Sequence, residues 1–116
     1  MKYFDLEHNK LTSTLPSSLR QLSEVNCFAI GFNRLTGTLP SSYSNMLQMQ
    51  LFIVSDNYLT GTIPSSYSNL QNLTLFDFRN NQFSQSIPSS LGLLTNLIYM
   101  DLHSNKFTNT IPNELY

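Results

Sequence analysis

The chain has 116 residues, 41% of them hydrophobic and only 11% charged, and its six Lys/Arg against seven Asp/Glu leave a net charge near −1. The basic residues Lys2, Lys10, Arg20, Arg34, Arg79 and Lys106 are scattered, so the basic stripe that holds a nucleic-acid backbone is missing and no nucleic-acid partner is expected. Apolar runs reach no farther than four residues, as in Leu51-Phe52-Ile53-Val54, against the ~18 that a membrane-spanning helix needs, so this segment inserts in no membrane. Asp5 and Glu7 follow Lys2 too closely for the apolar part of a secretory leader.

In chain order, Phe4 and Leu6 alternate with Tyr3, Asp5 and Glu7, the period of a short strand with one buried face. Cys27, the single cysteine, has no intrachain partner and reads as a small hydrophobe in a later strand. After the first strand come Asn9, Leu11, Thr12-Ser13-Thr14-Leu15-Pro16, then Ser17-Ser18-Leu19 and Leu22. The succession returns with Phe28, Ile30, Asn33, Leu35, Pro40, Tyr43 and Met46, and again with Phe52, Val54, Asn57, Leu59, Pro64, Tyr67 and Leu70. A fourth unit brings Phe76, Phe78, Asn81, Phe83, Pro88, Leu91 and Leu94, and a fifth Met100, Leu102, Asn105, Phe107, Pro112 and Leu115. The prolines recur every 24 residues without insertion or deletion, which defines coils at about 1–21, 22–45, 46–69, 70–93 and 94–116 of a single domain.

No such unit can bury its apolar residues alone, whereas stacking sets each column on itself and makes one continuous core. The column Asn9, Asn33, Asn57, Asn81 and Asn105 stands where the chain leaves the strand, between two core residues. A side chain with donors and an acceptor satisfies the inward backbone groups of such a bend and ties neighbouring coils, a structural ladder. Ser17, Ser41, Ser65 and Ser89 follow the prolines and are expected to cap one or two helical turns. The pairs Thr12/Thr14, Thr36/Thr38, Thr60/Thr62, Ser84/Ser86 and Thr108/Thr110 alternate as a second short strand would.

The recurring LxxLxxLxLxxNxLxxxIPxxLxxL pattern, with LTGTLP and LTGTIP segments, resembles the leucine-rich repeat, specifically its plant-type 24-residue class, over essentially the whole chain. The resemblance implies an α/β solenoid: a right-handed, curved array of about five coils. A parallel β-sheet lines its concave face, short helical, 3-10 or extended returns lie on the convex side, and a second short sheet follows the LxGxIP segments. It implies a non-enzymatic recognition module of a receptor ectodomain, extracellular or at the cell surface, with any leader, membrane anchor or kinase outside these residues. Implied partners are a protein, peptide or glycan; no cofactor or metal is implied. Two positions depart from the pattern: the family's glycine stands only at Gly37 and Gly61, being Ser13, Gln85 and Asn109 elsewhere, and Tyr43 and Tyr67 replace a leucine. TLPSSYSNM and TIPSSYSNL are also similar to repeats in surface antigens of flagellate protists, and the cysteine-paired caps of many plant ectodomains are missing. Both ends fall inside a repeat, so a fragment of a longer array is expected, or ends covered by partners, with end-to-end association open to them.

Function in such an array resides in the variable outward positions. Cys27, Ala29, Phe32, Leu51, Ile53 and Leu75 fall side by side in the middle coils, where strands ~4.8 Å apart would join them in one apolar patch that marks a partner site. Tyr99 ends the first of these columns. Asp77 and Asp101 share a column, as do Arg79 and His103, which reads as a solvated charge cluster or a contact for a cationic partner. No nucleophile or phosphate loop accompanies them, so no catalytic residue is assigned. Asn72-Leu73-Thr74 is the one sequon and makes Asn72 a candidate glycosylation acceptor. Two other readings stay open: a structural or adhesive surface antigen, and an ice-binding protein using the Thr-x-Thr face.

Overall fold

The computed structural model describes residues 1–108. The fifth Pro turn at Pro112, with Asn109, Thr110, Ile111 and Leu115, lies outside the described residues. In chain order the elements are β1 (Tyr3–Asp5), the 3-10 helix η1 (Ser17–Gln21), β2 (Cys27–Ala29), η2 (Ser41–Asn45), β3 (Leu51–Ile53), β4 (Thr60–Gly61) and η3 (Ser65–Asn69). They continue with β5 (Leu75–Asp77), β6 (Gln82–Gln85), η4 (Ser89–Leu93), β7 (Tyr99–Asp101) and β8 (Lys106–Phe107).

Five strands pair in parallel in the order β1-β2-β3-β5-β7, in the register of the repeat: Phe4 faces Phe28, then Phe52, Phe76 and Met100. These rings fill the interior, with Phe28, Phe52, Phe76, Phe78 and Phe83 fully buried. Each meets its counterpart one coil on, Phe28 and Phe52 with ring centres 5.7 Å apart and Phe52 and Phe76 at 6.0 Å. Burying one such ring stabilises by about 2–3 kcal/mol, so the phenylalanine column is a main source of cohesion between coils.

The second sheet runs β4-β6-β8 and is extended by parallel bridges Thr14 to Thr36 and Thr38 to Thr60. Here neighbours are staggered, the second threonine of one coil lying beside the first of the next. The Thr face is therefore an oblique row, and in the fourth coil Ser84 and Ser86 replace its threonines.

Prolines set the returns. Pro16, Pro40, Pro64 and Pro88 hold extended backbone immediately before each 3-10 helix and occupy the capping position themselves. This corrects the expected role of Ser17, Ser41, Ser65 and Ser89: they are the first helical residues, and no side chain caps these helices. Two serines act between coils instead, Ser66 Oγ donating to Ser41 O at 3.4 Å and Ser90 Oγ to Ser65 O at 3.1 Å.

The asparagine column joins coil to coil. Asn57 Nδ2 donates to Val54 O and Ser55 O of its own coil and to Ile30 O of the one before, while its Oδ1 accepts the Leu35 N–H at 3.0 Å. Asn33, Asn81 and Asn105 repeat the arrangement, while Asn9, in the first coil, donates to Leu6 O and Glu7 O. Tyr43 and Tyr67 have a similar reason: their hydroxyls donate to Pro16 O at 2.8 Å and Pro40 O at 2.7 Å. Burial pushes both phenols well up, so they remain neutral donors at physiological pH.

Candidate functional site on the concave sheet

The face of the five-stranded sheet that does not pack inward is built from the alternate residues of its strands. One row is Tyr3, Cys27, Leu51, Leu75 and Tyr99; the next is Asp5, Ala29, Ile53, Asp77 and Asp101. Leu51, Ile53 and Leu75 are partly exposed, and Tyr3 and Tyr99 are exposed at either end. Cys27 and Ala29 are only 5% and 1% exposed. That corrects their place in the apolar patch: shorter than the neighbours in their rows, they form its floor and offer almost no contact surface. Burial also raises the Cys27 thiol, with Asp5 and Glu7 adding to the effect, which disfavours the reactive thiolate.

Beyond each strand one residue adopts left-handed backbone: His8, Phe32, Asp56, Asn80 and Ser104, with φ between 55° and 59°. Asn, Asp and His tolerate this conformation better than most side chains, whereas a bulky residue there is strained. Phe32 is the exception in the column, is 41% exposed, and stacks on His8 with ring centres 4.4 Å apart.

The charged end is a network around one guanidinium. Arg79 lies 3.7 Å from Asp77, 3.8 Å from Asp101 and 3.8 Å from Asp56. Asp101 also accepts the Tyr99 hydroxyl at 2.9 Å and contacts the His103 ring. Burial works against its charge, but hydrogen bonds from the His103 backbone and ring and from Tyr99 outweigh that and lower its pKa. Asp77 moves the other way, raised mainly by burial although the backbone and charge of Arg79 oppose the shift. Asp5, Glu7, Ser55 and Asp56 complete this face, although sequence reasoning did not single them out. The signal was available: Asp5 stands in the column of Asp77, Glu7 and Ser55 in that of Arg79, and Asp56 in that of Phe32. Asn72 is exposed elsewhere, in the turn after η3, where its amide donates to Leu47 O at 3.1 Å. Among the described residues no three His, Cys, Asp or Glu side chains are placed to hold a metal ion.

Parallel strands on one face, 3-10 returns on the other and an asparagine ladder between coils define a leucine-rich repeat solenoid. The family model for the Leucine Rich Repeat matches residues 1–22, 48–70, 72–94 and 96–116, and the chain belongs to that family, in its plant-type form. The second coil falls largely outside those matches yet keeps the same register in the sheet. Among solved structures, the chain is similar to the plant peptide hormone receptor RGFR1, determined in complex with RGF2. The TM-score is 0.96 at 32% identity, over 99% of this chain and 18% of that one. It is similar to a TDR receptor with a TM-score of 0.96 at 34% identity, over 99% of this chain and 20% of that one. A plant ice-binding protein matches with a TM-score of 0.90 at 21% identity, over 99% of this chain and 37% of that one, a likeness of fold alone. The chain thus spans a fifth or less of the two receptors. A comparison with curated proteins yields no match.

Proposed function

We propose that this chain is a single, non-enzymatic recognition domain whose concave sheet binds a peptide or protein ligand, as part of a receptor ectodomain outside the cell. The observation that carries the reading is the concave face itself. It presents the side chains of Leu51, Ile53 and Leu75 beside those of Tyr99, Asp77, Arg79, Asp101 and His103, and the asparagine ladder uses only backbone groups of Arg79 and His103, not these side chains. Similarity to RGFR1, a plant peptide hormone receptor solved in complex with RGF2, supports a recognition role for this chain. No helix among the described residues is long and apolar enough to cross a membrane, so attachment to one would depend on other segments.

The test is a peptide-display selection on the purified chain, followed by affinity measurement on two variants. Leu51→Ser with Ile53→Ser should weaken the selected peptides at least ~10-fold, since each loses about 1–2 kcal/mol of apolar contact. Leu47→Ser with Leu93→Ser, outside the sheet, should leave affinity unchanged. Equal effects of the two variants would overturn the reading. In an extracellular setting Asn72 is the residue proposed to carry a glycan, seen as a mass increment lost in Asn72→Gln.

A further inference from the structure

The residues just before and just after each ladder asparagine flank the concave sheet. In the third coil these are Asp56 and Tyr58, on either side of Asn57, and in the fourth coil Asn80 precedes Asn81. The position of Tyr58 holds lysine, arginine or glutamine in the other coils, so Tyr58 is the one aromatic residue of its column, and it is 53% exposed. A carboxylate, a carboxamide and an exposed ring therefore fall together at a single place along the array.

These three residues line a hollow of about 250 Å³, completed by the buried Asn33 and Asn57. Backbone bonds between coils fix its frame. The Tyr58 N–H donates to Leu35 O at 2.8 Å, the Asp56 N–H to Arg79 O at 3.0 Å and the Asn80 N–H to His103 O at 3.0 Å. The side-chain amides of Asn33 and Asn57 are engaged in the ladder. Asn80 Nδ2 donates to Asp56 Oδ1 at 2.8 Å, which orients both side chains. Asn80 Oδ1 and the Tyr58 hydroxyl have no hydrogen-bond partner among the described residues. Asp56 Oδ2 is buried without a donor, with Arg79 Nε 3.8 Å away. That guanidinium offsets the Asp56 charge, so the hollow is polar without being strongly acidic.

We propose that this hollow is a binding site for a neutral sugar ring, separate from the peptide contacts of the inner sheet. Its volume lies below the ~300–1,000 Å³ of sites for drug-sized ligands and suits one pyranose. Each sugar hydroxyl both donates and accepts. That matches the free groups here: an acceptor at Asn80 Oδ1 and a phenol at Tyr58 that does either. A carboxylate would leave the acceptor unmatched, and an ammonium offers no acceptor to the phenol. Tyrosine presents an apolar ring face beside a polar tip, and a pyranose likewise carries C–H faces between its hydroxyls. Contacts of C–H groups with such a ring are individually weak, so a single ring binds in the millimolar range.

The experiment is an amide NMR titration of the full chain with methyl β-glucopyranoside, methyl β-galactopyranoside and methyl α-mannopyranoside. Glycerol, with hydroxyls but no ring, and N-acetylglycine methylamide, a peptide mimic, are the controls. The expected result is saturable shifts at Asp56, Tyr58 and Asn80 with at least one pyranoside, and binding at least ~5-fold weaker for both controls. Tyr58→Gln installs the residue that the next coil carries, and Asn80→Gly suits the left-handed backbone there. Each should weaken the pyranoside at least ~5-fold, with an unchanged fold by amide spectrum. Tyr3→Ala, which removes an exposed ring elsewhere, should leave binding as it was. Tighter binding of the corresponding trisaccharide assigns the site to a polysaccharide, and equal or weaker binding to the terminal sugar of a glycan; both support it. No saturable shift with any pyranoside, equal binding of the peptide mimic, or binding unaffected by both substitutions would overturn the proposal. Leu51→Ser with Ile53→Ser should not alter sugar binding, so the sheet and the hollow stand or fail separately.

Discussion

At the scale of single residues, a few side chains make bonds that no other residue type could make in their place. Asn57 donates to three carbonyls and accepts one N–H, all within a buried bend. Asn57→Ala should cost about 2–4 kcal/mol by urea denaturation, because it orphans buried backbone groups. Asn57→Asp is nearly isosteric yet should cost more, since it turns the donor toward Ile30 O, Val54 O and Ser55 O into a charged acceptor. Tyr67→Phe keeps the ring and removes one bond to Pro40 O, so a loss of about 1 kcal/mol is expected, read as a lower thermal midpoint. The glycine column is conformational: Gly37 and Gly61 have φ of 82° and 83°, and Ser13 and Gln85 occupy the same turn at 73° and 65°. Gly37→Ala should lose about 1–3 kcal/mol, its Cβ meeting Thr14 Cγ2 at 2.8 Å. Gln85→Gly should gain up to about 1 kcal/mol by relieving left-handed strain, and the two opposite signs are checked in one denaturation series.

At the scale of elements, the period of 24 residues told most of the story because one unit cannot fold alone. The strands at Phe4, Phe28, Phe52, Phe76 and Met100 follow from alternate apolar residues, and their pairing follows from the column each shares with the next. The returns were less legible. Pro-Ser-Ser resembles a capped α-helical start, but a five-residue 3-10 helix leaves the proline as its boundary and the serines inside it. Ser65→Ala should therefore change stability by less than ~0.5 kcal/mol, where a true cap would cost about 1 kcal/mol. Chemical denaturation of that variant decides between them. The threonine columns were legible as a second sheet but not in their stagger, because the alignment of repeats fixes which residues are equivalent, not which lie side by side.

At the scale of the whole molecule, repetition separates two tasks. Repeated columns build the interior and the asparagine ladder; the positions that differ from coil to coil face the concavity. That division made the candidate face readable from the sequence, with Leu51, Ile53, Leu75, Asp77 and Asp101 in their rows. It did not reveal depth. Whether a side chain reaches ligand or disappears depends on the size of its neighbours, and Cys27 and Ala29 sink between larger residues. The most direct measurement is a methyl NMR footprint of a display-selected peptide bound to the full chain. Shifts concentrated at the Leu51, Ile53 and Leu75 methyls, with Leu47 and Leu93 unmoved, are what a concave recognition surface requires. A footprint centred on Leu47 and Leu93, with the inner sheet silent, would contradict it.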